Sequence, residues 1–182
     1  MPYQPPPYLA EMSLAQIAAE VAARRLPPLE SWTPEKVSDS YMRIAADGTW
    51  YHQGEPIRRD AMVRAFAGLL LRDEAGHHWL VTPFEKAAIE VEDAAFIAVD
   101  VAQRDGGLAF RLNTDELVIA GPDHRLRAAG DPETPALYLH VRRGCEARLN
   151  RSTYQQLAEL ALAAGDDWAV ESLGMRFSLL PA

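Results

Sequence analysis

The sequence predicts an α+β chain, in which an N-terminal helix and a hairpin–helix unit precede an antiparallel β domain that is closed by a helix. Two Asp-Gly pairs, Asp47–Gly48 and Asp105–Gly106, each lie between strand-like runs, and such a pair is the strongest short-range signal of a β-hairpin. Short apolar or alternating runs fill residues 86–142. Apolar residues follow a helical period in three segments, near residues 14–21, 60–71 and 151–163.

Composition limits the function classes. The 182 residues fit one large domain or two small ones, and the net charge of −8 with a pI of about 5.1 disfavours binding to nucleic acid polymers. The one cysteine excludes an internal disulfide and suits a reducing compartment. No basic start with an apolar core marks a signal peptide, and no apolar run approaches the ~20 residues of a membrane span. We therefore expect a cytoplasmic protein that binds neither nucleic acid polymers nor membranes.

Three regions are predicted. Residues 1–35 form an arm and a helix: the proline-rich residues 1–8 are a loose arm, and Ser13–Gln16 is a capping box that begins the helix. Residues 36–84 form a small α+β domain, and residues 85–182 a β-rich domain with a C-terminal helix and strands.

The small domain begins with a predicted strand at Tyr41–Ile44, which Asp47–Gly48 turns into Trp50–His52. A two-residue turn and a bulged three-residue turn both fit this connection. A helix near residues 60–71 follows, and a strand at His78–Val81 ends at Pro83.

In the β-rich domain a two-residue turn at Asp105–Gly106 sets the hairpin register. This turn pairs Val101 with Phe110, Val99 with Leu112, and Asp100 with Arg111. The apolar pairs then share the core face, and the charged pair lies on the other face. A helix at 151–163 is followed by short strands at Trp168–Val170 and Phe177–Leu180.

The spacing of two segments predicts a duplicated motif. Gly54 to Trp79 spans 25 residues and Gly144 to Trp168 spans 24, and each interval contains an amphipathic helix followed by a glycine turn. Matching spacing favours duplication of one supersecondary unit, although coincidence among common elements is the alternative. If the repeat is real, Trp79 superposes on Trp168.

Six motifs follow one another along most of the chain: Met42–Ile44, Asp47–Trp50, Gly54–Ile57, Leu80–Lys86, Val91–Phe96 and Ala120–Arg127. This ordered set resembles the bacterial domain-of-unknown-function family 1285 (DUF1285). The resemblance implies a β-rich fold with a duplicated motif, whose second half is superficially like a pleckstrin-homology barrel. It also implies a site for a nucleotide-like ligand where the halves meet, and it brings no catalytic residues.

Signs of catalysis are weak. The sequence contains no nucleophile elbow, phosphate-binding Walker loop or zinc-protease motif. Nothing local brings His52, His124 and His140 together. The acidic residues around Glu90 and Glu92 fit either an oxygen-rich metal site or, more simply, a solvated strand face. Cys145 follows two arginines that would lower its pKa, but a lone cysteine is usually inert.

Arg58 and Arg59 are the best functional candidates, because they come just before a helix whose first amide groups suit an anion. Guanidinium groups add bidentate recognition of phosphate. Arg43 and His52 on the adjoining hairpin and Lys86 beyond Pro83 complete the predicted site. The alternative is that these cations pair with the surplus carboxylates.

The residues and the resemblance together predict a non-catalytic ligand-binding or signalling module that binds a small anionic, nucleotide-like ligand between its two halves, with no cofactor and no metal. The alternative is a protein-interaction module without a small ligand, which uses the Pro/Tyr arm to dock a protein partner.

Overall fold

The computed structural model describes residues 7–165 and 167–182, and over these residues it contains three α-helices, two six-stranded sheets and a separate hairpin. The chain divides into two compact units. Unit 1 comprises the residues up to Arg24, Ile97–His140 and Ala147–Ala182, and unit 2 comprises Arg25–Phe96 and Val141–Glu146. The α+β class predicted from the sequence is confirmed. Residues 1–6 of the predicted arm lie outside the described residues.

Unit 2 is built on the first sheet, in the order β3-β2-β1-β6-β5-β4. β1 and β6 are parallel, and the other neighbours are antiparallel. The buried side chains on one face include Met42, Ile44, Trp50, Leu80 and Ile89, and Trp50 stacks on Phe66 of the helix α2 (Asp60–Ala67). The strands are β1 (Lys36–Ile44), β2 (Trp50–His52), β3 (Glu55–Pro56), β4 (Leu70–Arg72), β5 (His78–Val81) and β6 (Glu85–Val91).

Two predicted boundaries in unit 2 are wrong. α2 ends at Ala67 rather than near residue 71, and the apolar residues that seemed to continue it form β4, where Leu70 pairs with Leu80. β1 begins at Lys36 rather than Tyr41, because its polar first half gains a parallel partner in β6. Parallel pairing joins distant segments and leaves no local signature in the sequence.

The connection from β1 to β2 is the bulged three-residue turn, one of the two alternatives. The amide of Gly48 donates to Ala45 O, and the amide of Ala45 donates to Thr49 O. Gly48 has a φ of 89°, the left-handed conformation that ends this kind of turn. The turn is tightened further by Asp47, whose carboxylate accepts from the Thr49 amide.

Unit 1 contains most of the second sheet, in the order β10-β11-β12-β7-β8-β9, together with a hairpin and two helices. The helices are α1 (Leu14–Ala23) and α3 (Arg151–Ala163). The predicted capping box at Ser13 and Gln16 is confirmed. The strands are β7 (Phe96–Arg104), β8 (Gly107–Leu112), β9 (Leu117–Ile119), β10 (Leu126–Asp131), β11 (Thr134–Arg142), β12 (Cys145–Leu149), β13 (Ala169–Ser172) and β14 (Met175–Ser178).

The register of the β7–β8 hairpin follows the prediction up to a bulge. Val101 pairs with Phe110 and Asp100 pairs with Arg111, as expected from a two-residue turn at Asp105–Gly106. Beyond Asp100 the register shifts, so Leu112 pairs with Ala98 instead of Val99. A bulge adds one residue to one strand, and its position depends on packing that a turn cannot specify.

The arrangement of regions also differs from the predicted one. β6 pairs with β1 and β5 in the first sheet, so the predicted boundary between residues 84 and 85 falls inside one sheet. Each half contains a hairpin, a helix and a second hairpin, which fits a two-half duplication. However, Trp79 lies in the second strand after α2, whereas Trp168 precedes the first strand after α3. The predicted equivalence of the two tryptophans is therefore wrong.

Candidate functional site

The start of α2 carries the two arginines that the sequence singles out. Arg59 is the N-cap residue, its side chain caps no amide, and its carbonyl oxygen accepts from Met62 and Val63. The side chains of Arg58 and Arg59 are exposed, and neither contacts a polar group of the residues that the structure describes. By position, the first two amides of α2, those of Asp60 and Ala61, have no intrahelical acceptor. The carboxylate of Asp60 lies in this first turn and partly offsets the positive charge.

The side chain of Arg43 already has an acidic and an aromatic partner within unit 2. Its Nη1 donates to Glu92 Oε1 over 2.6 Å, and its guanidinium lies 4.3 Å from the centre of the Tyr51 ring. The second oxygen of Glu92 accepts from the amide of Ala46. An ion pair that also stacks on an aromatic ring holds the side chain in one geometry. Arg43 therefore fastens β1 to its neighbours.

The side chain of Lys86 also has a partner, the aromatic ring of Trp79. Its Nζ lies 4.2 Å from the centre of the Trp79 ring, and the indole Nε1 donates to Asp73 over 3.0 Å. Lys86 and Arg43 share the outer face of the first sheet, because Arg43 pairs with Glu90, four residues along β6 from Lys86. At the rise of a strand, Lys86 and Glu90 are about 13 Å apart along β6, so Lys86 and Arg43 are also well separated.

His52 lies on the opposite face from Arg43. It pairs with Met42 and Glu55, whereas Arg43 pairs with Tyr51, and neighbouring strand residues point to opposite faces. The side chain of His52 is exposed at the tip of the β2–β3 hairpin. The five predicted site residues thus occupy three places: the outer face of the sheet, the hairpin tip and the start of α2.

The other end of α2 is bound by a second arginine pair, whose role was not predicted. Arg143 donates to Pro27 O over 2.6 Å, to Gly68 O over 3.1 Å, and to Glu30 Oε1 over 2.6 Å. Arg142 Nη2 donates to Ala67 O over 3.1 Å. These guanidinium groups satisfy carbonyls at the helix C-terminus, where cations are favoured. The only local signal was the turn Arg143–Gly144, which says nothing of distant partners.

Cys145 follows this turn and is buried. Burial raises the pKa of its thiol to about 11, more than the nearby arginines lower it. A thiol with this pKa is protonated at neutral pH and is a poor nucleophile. The arginines do act to lower the pKa, as their positions in the sequence suggest, but desolvation outweighs them.

Two of the histidines do meet in unit 1. The ring centres of His124 and His140 are 6.3 Å apart, and each Nδ1 lies 3.1 Å from a backbone carbonyl oxygen, to which it donates. Among the acidic residues, Glu92 pairs with Arg43, and Glu85 pairs with Lys36 and accepts from Ser38. Within the described ranges, no group of three or more His, Cys, Asp or Glu side chains is placed to hold a metal ion.

The comparisons with known proteins identify a family. The model for the N-terminal domain of the domain of unknown function DUF1285 matches residues 27–94, and the model for the C-terminal domain matches residues 95–179. A search of curated proteins found no match. Within the described residues, no helix is long and apolar enough to cross a membrane.

Two crystal structures of DUF1285 family proteins are similar to this chain. The protein from Silicibacter pomeroyi DSS-3 is 39% identical, with a TM-score of 0.75, and the match covers 91% of this chain and 95% of that one. The protein from Shewanella baltica OS155 is 23% identical, with a TM-score of 0.54, and the match covers 66% of this chain and 91% of that one. The second likeness concerns the fold alone.

Proposed function

The chain belongs to the DUF1285 family, and we propose that it is a non-catalytic module that binds a small anionic, nucleotide-like ligand and serves in signalling. We assign the ligand to the start of α2, with Arg58 and Arg59 as its principal contacts. The exposure of both side chains, without a polar partner among the described residues, is the observation that carries this proposal.

The two ends of α2 support this choice. Cations are disfavoured at a helix N-terminus, because the amide groups there already give a positive potential. Two adjacent arginines at that end place positive charge where a bound anion would be stabilised by guanidinium groups and amides together. Asp60 reduces the net charge, so the site favours a ligand that engages the forked donors directly.

A small ligand fits the charge of the whole chain better than a polymer does. With a net charge of −8, the protein repels extended polyanions, while a local cationic pair still attracts a compact anion. The non-catalytic part of the proposal agrees with the protonated thiol of Cys145.

The test is a thermal-shift screen of nucleotides and phosphorylated metabolites on the wild type, Arg58→Ala and Arg59→Ala. A ligand at one hundred times its Kd stabilises the folded state by ~2.7 kcal/mol, and each variant is expected to reduce that shift. Arg25→Ala is the control, because Arg25 is also an exposed arginine of unit 2. Equal shifts in all four proteins would show that the ligand binds elsewhere.

A protein-interaction module is the second candidate, and one surface favours it. Val37, Tyr41 and Phe84 are 64%, 66% and 83% exposed, and all three belong to β1 or to the turn before β6. Among the described strands, β2 pairs with β1 only from Met42 onward, so the other edge of Lys36–Ser40 is open for strand addition. Most of the Pro/Tyr arm lies outside the described residues.

The two candidate functions predict different binding partners, a small anion in one case and a protein in the other. If no compound in the screen shifts the melting temperature of the wild type, and a partner captured by the full chain is lost on Phe84→Ser, the interaction module is the better account.

We also propose that the second half is superficially pleckstrin-homology-like, which the run of six strands β7–β12 followed by α3 supports.

A further inference from the structure

We propose a second binding site, within unit 1, for a small oxyanion that is joined to a flat apolar body, such as an aryl phosphate. The site is a cavity of about 420 Å³ beside the start of α3. This volume lies in the range of small-molecule pockets. The inference does not rest on the function proposed for Arg58 and Arg59, because every residue of the cavity belongs to unit 1.

Two arginines, Arg148 and Arg151, are among the residues that line the cavity, against one acidic residue, Glu133. In a chain with a net charge of −8, this is a local excess of positive charge. Arginine presents a rigid fork of donors that matches the oxygens of a phosphate or carboxylate group. The cavity therefore favours an oxyanion over a neutral or cationic ligand.

Arg148 is held in position by a neighbouring tyrosine. Its guanidinium lies 5.6 Å from the centre of the Tyr138 ring, and its Nη1 lies 3.5 Å from Tyr138 Oη. The guanidinium of Arg127 lies 4.3 Å from the centre of the same ring, and Arg127 pairs with Tyr138 across β10 and β11. A guanidinium already positioned by a ring loses less freedom when it binds a ligand.

Arg151 is the first residue of α3, and its side chain is exposed. It is not needed to cap the helix, since the side chain of Asn150 accepts from the amide of Thr153 over 2.8 Å. Among the described residues, Arg151 contacts no polar side chain. Its guanidinium can therefore turn toward an anion beside Arg148 without breaking a contact of the fold.

The remaining walls are largely apolar and include one aromatic ring. Leu137 and Leu149 are buried, and Tyr154 is half-buried one turn into α3. An aromatic ring stacks favourably on a tyrosine and displaces water from apolar walls. The remaining lining residues are Thr134, Pro135, Ala136, Leu137, Leu149 and Tyr154. A bare phosphate ion would leave this apolar surface uncovered, so an aryl group attached to the anion is the better fit.

The experiment is an NMR titration of the full ¹⁵N-labelled chain with phenyl phosphate, and with inorganic phosphate in a parallel series. The variants are Arg151→Gln and, as a matched control, Arg125→Gln, which alters another exposed arginine of unit 1. A third variant, Arg58→Ala with Arg59→Ala, removes the site proposed in unit 2. Backbone amide signals report the location of binding in each variant.

The expected result is that phenyl phosphate shifts the amides of residues 135–137 and 148–154 in the wild type. Arg151→Gln weakens its affinity about tenfold, the loss of one charge-assisted contact, while Arg125→Gln and the unit 2 variant leave it unchanged. Inorganic phosphate binds more weakly than phenyl phosphate. The proposal is overturned if these amides do not shift, if Arg151→Gln binds like the wild type, or if both phosphates bind equally.

Discussion

An Arg-Arg pair lies at each end of α2, and the two pairs have opposite surroundings. At the C-terminal end, Arg142 and Arg143 donate to the carbonyls of Ala67 and Gly68, and Arg143 also binds Glu30. At the N-terminal end, Arg58 and Arg59 are exposed and contact no polar group of the described chain. A helix offers carbonyls at one end and amides at the other. One arginine pair therefore stabilises the fold, and the other is the pair to which we assign the proposed ligand.

Replacing Arg143 tests the first half of this comparison and has the largest expected effect. Arg143→Ala removes donors from the carbonyls of Pro27 and Gly68 and leaves Glu30 without its partner. The side chain is only 10% exposed, so water replaces these contacts poorly. We expect the free energy of unfolding to fall by about 3 kcal/mol, measured by urea denaturation.

Arg59→Ala is the matched variant at the other end of α2. An exposed residue away from specific contacts usually changes stability by no more than about 0.5 kcal/mol. Two equal losses of stability would contradict the comparison, because Arg59 would then also stabilise the fold.

A second comparison concerns two glycines at hairpin tips, Gly144, which follows Arg143, and Gly54, which lies between β2 and β3. Gly144 and Gly54 both have positive φ, of 77° and 83°, but a Cβ on Gly144 would lie 2.5 Å from Arg72 O, and one on Gly54 would meet nothing within 4 Å. Gly54→Ala should cost about 1 kcal/mol, from backbone strain alone. We expect Gly144→Ala to cost about 2 kcal/mol more, because the close contact adds to the strain. Thermal unfolding of both variants measures the difference, and similar losses would mean that the Arg143 turn packs loosely.

The smallest expected effect concerns pH. The hydrogen bond from Arg143 holds the pKa of Glu30 below its ordinary value. A lowered folded-state pKa stabilises the protein above the unfolded-state pKa of about 4.3, and this contribution is lost as pH falls through the folded-state pKa. Glu30 is largely exposed, so solvent limits the contribution to about 0.5 kcal/mol. Glu30→Gln should therefore be less stable than the wild type at pH 7 and closer to it at pH 3.5. A difference that is constant with pH would exclude this ion pair as its cause.

The sequence predicts the local parts of the fold well. The Ser13 capping box and the turn at Asp105–Gly106 depend on residues within a few positions of each other, and both were confirmed. The start of β1 was missed, because Lys36–Ser40 is polar and becomes a strand only by pairing with β6. β4 was missed for the converse reason, since Leu70 and Leu71 are apolar in either a helix or a strand.

The candidate site shows the same limit. Sequence reasoning found four cationic residues and a histidine but could not separate those with partners from those without. Arg43 pairs with Glu92, 49 positions away, and Arg143 with Glu30, 113 positions away. Only the fold brings such partners together, so an arginine pair in a sequence does not indicate whether it is structural or free.

The most direct test of the central claim is the thermal unfolding of the double variant Arg58→Ala with Arg59→Ala, with and without the strongest ligand from the nucleotide screen. The account predicts that the variant without ligand melts within about 2 °C of the wild type, since neither side chain stabilises the fold. It also predicts that the ligand-induced shift of the wild type is lost. A retained shift, or a ligand-free melting temperature that falls as far as that of Arg143→Ala, would contradict the account.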